Sequence, residues 1–169
     1  MSGSKWRAWL QLFRAPNLLT VPGDPLCGFL LASGGVISPV VIAPILASLC
    51  LYAAGLALND LCDLDEDRRE RPDRPLPSGG NARNHAWIAV ILLCIVALGV
   101  MTLAGGLRGL CFAAATLGVI VLYNTTAKRF SGVGEIVMGA CRGLSCLLGA
   151  IVAAPLPLSG SSWKMLASL

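Results

Sequence analysis

The stretch from Asn59 to Gly79, NDLCDLDEDRRERPDRPLPSG, holds seven of the nine carboxylates in this chain, and it follows directly on a run from Val40 to Leu58 that carries no charge. A helix needs about 20 apolar residues to cross a bilayer, and the run is long enough. Inside hydrocarbon every backbone N–H and C=O must find a partner within the chain, which confines such a run to helix. Composition agrees: 56% of residues are hydrophobic and 13% charged, against about a quarter charged in soluble domains. The expected fold class is all-α, a polytopic transmembrane helix bundle.

About five spans are expected on length alone. The apolar segments are Leu18–Ile37, broken by Pro22, Gly23, Asp24 and Pro25; Val40–Leu58; Ala86–Ala104, closing at Gly105 and Gly106; Leu110–Tyr123; and Ile136–Ala154, ended by Pro155 and Pro157. Residues 18–154 are thus read as the bundle. In residues 1–17, Trp6, Trp9, Leu10 and Phe13 recur at near-helical spacing among Lys5, Arg7 and Arg14, the pattern of an interfacial helix. Residues 155–169 form a tail too short to span. Lys5, Arg7, Arg14, the arginines between 68 and 83, Lys128 and Arg129 would share one side, with only Arg108 and Lys164 opposite. Positive residues stay cytoplasmic, so the amino terminus and the acidic stretch are expected on the cytoplasmic face.

The net charge of +4 is therefore read as topology, and no aromatic-interleaved basic stripe points to nucleic acid. The seven cysteines form no CxxC and sit mostly in apolar runs, where cysteine behaves as a small hydrophobe. With His85 the only histidine, a Cys/His zinc site has little support.

On a helical wheel with Asn59 at zero, Asp63 falls at about 40°, Asp67 at about 80° and Asp60 at about 100°. One amide and three carboxylates would share a face at a membrane helix end. Like charges three and four residues apart repel, so the face needs either full solvation or a cation. Mg²⁺ takes oxygen ligands and is commonly held by one or two carboxylates together with substrate phosphates. Asn59, Asp60, Asp63 and Asp67 suit it, and the cation would bridge to a diphosphate. The other reading, a solvated acidic loop paired with its own arginines, stays open. Arg68, Arg71, Arg74, Lys128 and Arg129 are candidate diphosphate contacts or plain cytoplasmic anchors. Arg142 lies seven residues into an apolar segment, where a charge is functional or internally paired; a phosphate or Glu135 would satisfy it. Asp24 reads equally as a cap at a helix break or as a binding group.

The pattern N59-D60-x-x-D63-x-x-x-D67 with RPDRPLPSG at 71–79 resembles the first aspartate-rich motif of the UbiA-type membrane prenyltransferases. Tyr123-Asn124 with Lys128, MGACRGLSCLLGA at 138–150, and Arg14 with Asn17 are similar to further parts of the family's pattern. The resemblance implies a multi-span enzyme that moves a polyprenyl group from its diphosphate to an acceptor, commonly aromatic. It implies Mg²⁺–diphosphate roles, catalytic in effect, for Asn59, Asp60, Asp63 and Asp67. Lys128 and Arg142 become candidate diphosphate contacts by the resemblance, beside Arg68 and Arg74 from the charge pattern above, and Tyr123 a cavity wall or carbocation-stabilising ring. The family also has a second aspartate-rich motif, whereas Glu135 is the one acid after Asp73; the chain is read as an amino-terminal part. A membrane protein that binds a lipid diphosphate without catalysis is the alternative, and a transporter the third reading.

The orientation can be tested by impermeant maleimide labelling in a cysteine-free background. Asp73→Cys is expected to react from the cytoplasmic side and Arg108→Cys from the opposite side; the exchanged pattern would reverse the assignment, and labelling of both from one side would mean that the segment between them does not cross.

Overall fold

The computed structural model describes residues 18–64, 69, 82–130 and 132–153, and every regular element among them is a helix. Helix α1, Gly23–Ser33, accommodates Pro25 in its first turn, where a missing N–H costs no helix bond. It stops at Gly34, which takes the left-handed conformation with φ 66°, while Gly35 N–H donates to the Leu30 carbonyl at 2.8 Å. That closure favours a residue without a Cβ. A single 3₁₀ turn, Pro39–Val41, leads into helix α2, Ile42–Cys62.

Helix α3, Ala82–Thr125, is 44 residues long but is interrupted at Gly106 (φ 60°, ψ −149°), a backbone region close to glycine-only. The chain doubles back there. A Cβ at Gly109 would overlap the Met101 carbonyl, although residues eight apart in a straight helix are separated by about 12 Å along the axis. The two arms, 82–105 and 107–125, correspond to the third and fourth expected segments, with the break at the expected glycine pair. A 3₁₀ turn, Ala127–Arg129, connects to helix α4, Val133–Ala153.

By length and composition, three helical stretches can cross a membrane: Pro39–Cys62, Arg83–Arg129 and Val133–Ala153. The first expected segment, 18–37, differs. Its helix begins only after Pro22 and ends at Gly34, and 11 residues fall short of the about 20 a crossing needs. The expected lead-in, 1–17, and the tail, 155–169, lie outside the described residues.

α2 packs mainly along α3, and α1 along α4. The core has two parts: Ala47, Leu51, Ala97, Met101, Ala113 and Leu148 in one, and Ala54, Ala57, Leu61, Leu64, Ala86 and Val90 in the other. Alanine and glycine let membrane helices approach closely, where lipid gives no hydrophobic drive to associate. The α1–α4 crossing is the tightest case. A Cβ at Gly28 would overlap the Cys146 carbonyl, and one at Gly149 the Pro25 carbonyl. Leu31, Ile95, Leu103 and Ile136 point outward, as a bilayer-facing surface allows.

Gly149→Ala is expected to force α1 and α4 apart and destabilise by ~1–3 kcal/mol, the scale of overpacking, read as a lower thermal midpoint in detergent. Gly118→Ala, with nothing near its Cβ, should stay within ~0.5 kcal/mol. Equal effects at both glycines would mean that the crossing does not hold the helices together.

Candidate functional site

Polar positions in these helices repeat at helical spacing and converge on one cavity of about 620 Å³. α2 contributes Ser48, Leu51, Tyr52, Gly55 and Asn59, a stripe of three- and four-residue steps. The second arm of α3 contributes Thr116, Ile120, Tyr123 and Asn124, and α4 contributes Met138, Cys141, Arg142 and Ser145. Thr20 and Asp24 close the side near α1. From Ser48 to Asn59 the stripe runs about 16 Å along α2. Its walls mix aliphatic, aromatic and small polar side chains. Among the described residues, all four buried polar side chains, Ser48, Thr116, Asn124 and Ser145, line this cavity.

At the Asn59 end, Lys128 ties the 3₁₀ turn Ala127–Arg129 to the end of α2. Its Nζ donates to Asp63 Oδ1 at 2.5 Å and to Asn59 Oδ1 at 3.2 Å. The two side chains of the ion pair are only 16% and 27% exposed, so this is not a loose surface contact. Asp60 and Asp63 lie at the carboxyl end of α2, where the helix dipole already carries negative partial charge; the lysine offsets both. The regular helix of α2 runs through Asn59 and Asp60 to Cys62, and Asp63 caps it with φ −94° and ψ 4°, its N–H donating to the Asn59 carbonyl at 3.0 Å. Carboxylates at helical spacing oppose one another and the dipole together. Asp60, partly buried, stands next to Asn59 on the last turn of α2. Asp67, Arg68 and Arg74 lie outside the described residues.

Two oxygen donors, the Asn59 amide and the Asp63 carboxylate, thus converge on one positive charge. Hard oxygen donors of this kind fit Mg²⁺. Among the described residues no three Asp, Glu, His or Cys side chains come together as a metal cluster.

Arg142 is internally paired, one of the two expected alternatives, with Asp24 and not Glu135 as its partner: its Nη2 donates to Asp24 Oδ1 at 2.8 Å, and the side chain keeps 63% of its surface open. Asp24 makes no side-chain cap. An internal pair between α1 and α4 is what a charge at membrane depth requires, and Arg142 retains donors facing the cavity. Tyr123 lines the cavity.

Sequence reasoning missed three hydroxyls and gave Asn124 no role. Ser48 and Ser145 hydrogen-bond across α2 and α4, Thr116 donates to the Phe112 carbonyl at 2.8 Å, and Asn124 bonds α2 and α3. The available signal was a small polar residue in the middle of each apolar run, the residue type that joins membrane helices. All seven cysteines are free.

Residues 25–168 match the UbiA prenyltransferase family. The chain is 29% identical over 150 residues to the digeranylgeranylglyceryl phosphate synthase of Sulfolobus acidocaldarius, covering 89% of this chain and 54% of that protein. For the enzyme of the same name from Methanopyrus kandleri the identity is 32% over 153 residues, covering 86% and 53%. A solved structure described as "Structural and mechanistic insights into the biosynthesis of Digeranylgeranylglyceryl phosphate synthase in membranes" superposes with a TM-score of 0.79 at 27% identity, covering 90% of this chain and 54% of that one. The chain spans about half the length of the curated relatives it matches.

Lys128→Met is expected to leave Asp63 uncompensated and to cost ~1–3 kcal/mol, measured by thermal unfolding. Adding Asp63→Asn should recover part of that loss, a coupling of ~0.5–3 kcal/mol. Strictly additive effects would show that the pair is not coupled.

Proposed function

This chain belongs to the UbiA prenyltransferase family, and from that premise we propose that it serves the Mg²⁺-dependent transfer of a prenyl group from its diphosphate to the hydroxyl of a glyceryl phosphate. The observation that carries this reading is the convergence of Asn59, Asp63 and Lys128 at one end of a largely apolar cavity inside membrane-length helices. The acceptor is drawn from the relatives' name, which denotes synthesis of a glyceryl phosphate bearing two geranylgeranyl groups. An aromatic acceptor, the family's common one, is the competing outcome.

Asn59, Asp60 and Asp63, with Asp67 from the stretch that follows, would hold the cation on their oxygens, and its chemistry would be to neutralise charge on the diphosphate. Lys128 already stands against two of these oxygens and supplies a mobile point charge for the phosphate. Arg68 and Arg74 follow in the sequence and are taken as further phosphate contacts. Arg142, fixed by Asp24, presents its remaining donors to the cavity. Tyr123 and Tyr52 place aromatic rings where positive charge develops on the allylic carbon as its C–O bond breaks and the electron pair leaves with the diphosphate. The hydroxyl oxygen then forms the new C–O bond and its proton is released. The apolar walls contributed by Leu51, Ile120 and Met138 take the prenyl chain and keep water from the cation. The orientation, with the amino terminus and the diphosphate site cytoplasmic, belongs to the same proposal.

Membranes containing the protein are expected to release diphosphate from geranylgeranyl diphosphate only when Mg²⁺ and a geranylgeranylglyceryl phosphate acceptor are both present. Asp63→Asn should lower that rate by about 100-fold or more, the scale of a lost charge-stabilising group. Unchanged turnover in the variant would sink the assigned site. Turnover only with a hydroxybenzoate would replace the acceptor, and saturable Mg²⁺-dependent binding without release would make this chain a diphosphate-binding module.

A further inference from the structure

Asn124 is 3% exposed and lines the cavity. Its side-chain N–H₂ donates to the Ile120 carbonyl at 2.9 Å and to the Gly55 carbonyl at 3.3 Å. Both acceptors are carbonyls, so the amide can face only one way: reversing it would set oxygen against oxygen. Its Oδ1 is therefore fixed as an acceptor, and among the described residues it has no hydrogen-bond partner. Buried polar atoms without a partner are rare enough that each one calls for an explanation.

The missing partner must be a donor. At neutral pH a diphosphate offers acceptor oxygens, and a prenyl chain offers no polar hydrogen, so neither satisfies Asn124. A hydroxyl does. Position agrees with chemistry. Asn124 is tied to Gly55, four residues before Asn59 on α2 and so about 6 Å deeper along the helix. It also lies four residues before Lys128 on the chain, so the amide stands about one turn inside the group assigned to the diphosphate. The carbon next to the departing oxygen belongs at that level.

Resting on the function proposed above, we propose that Asn124 Oδ1 accepts a hydrogen bond from the hydroxyl of the acceptor substrate, holding that oxygen beside the allylic carbon and selecting an alcohol-bearing acceptor. The prenyl diphosphate does not depend on this contact. Both carbonyls that receive the Asn124 amide lie inside helices α2 and α3, where they already accept helix bonds, so removing the side chain leaves no backbone group stranded.

The test compares geranylgeranylglyceryl phosphate with its deoxy analogue, in which hydrogen replaces the reacting hydroxyl, as substrate and competitive inhibitor of the membrane-embedded protein. In the unaltered protein the hydroxyl compound is expected to bind about tenfold more tightly, the value of one well-made hydrogen bond. In Asn124→Ala that ratio should fall to about one, while KM for geranylgeranyl diphosphate stays within about twofold. Asn124→Ser, whose oxygen is too short to reach, is the milder companion if the alanine variant fails to fold. A ratio near one in the unaltered protein overturns the inference without any variant. So does a ratio that survives both substitutions, which would give Asn124 a purely structural role. Absence of turnover with this acceptor in the unaltered protein would instead overturn the function reading, and the inference with it.

Discussion

Two carboxylates at the carboxyl end of a membrane helix are an electrostatic problem before they are a binding site. Asp60 and Asp63 sit one turn apart where the α2 dipole is negative, and nothing on α2 itself is positive. Lys128 supplies the missing charge from the turn between α3 and α4, bonding Asp63 and Asn59 together. Because the lysine follows the second arm of α3, the interaction needs that arm to return to the α2 end. It returns because α3 folds back at Gly106. One ion pair therefore couples the helix end, the hairpin and the start of α4. Its partial burial makes it worth more than an exposed pair, and its breakage leaves a charge in a poor solvent.

The legible part of the fold came from hydrophobic length and from glycine and proline. Gly105-Gly106 marks the reversal in α3, because a positive φ there excludes residues with side chains, and that demand can be read from the sequence. The same signals act near the start. Pro22 and Gly34 bound α1 to 11 residues, whereas hydropathy alone joined 18–37 into one segment. On the wheel, Asn59, Asp60 and Asp63 fall at the end of α2, where Asp63 takes the cap position, while Asp67 lies outside the described residues; periodicity places residues on a face and does not carry the repulsion between them.

The site was legible where its chemistry is charged. Asn59, Asp63 and Lys128 meet, and Tyr123 and Arg142 line the cavity that Asn59 also lines. The Asp24–Arg142 pair was not foreseen, since residues 118 positions apart are joined by the α1–α4 crossing, and that crossing depends on two glycines meeting two carbonyls. The neutral polar groups were harder still. Ser48, Thr116, Asn124 and Ser145 read as unremarkable residues in apolar runs, and only tertiary packing turns all four toward one space.

Their arrangement along α2 gives the cavity a gradient. At the Asp63 end lie full charges held against a cationic side chain. One turn deeper the uncharged Asn124 amide donates to two backbone carbonyls, and about two turns beyond that the Ser48–Ser145 pair satisfies itself. Along α2 each step inward lowers the cost of dehydration, as burial demands of polar groups, and Arg142 and Asp24, which line the cavity from α4 and α1, satisfy each other as an ion pair. Under the proposed function the head of an amphipathic substrate belongs at the carboxylate end and its tail along the apolar walls, and Asn124 stands at the level between them, where bond-making and bond-breaking groups would meet.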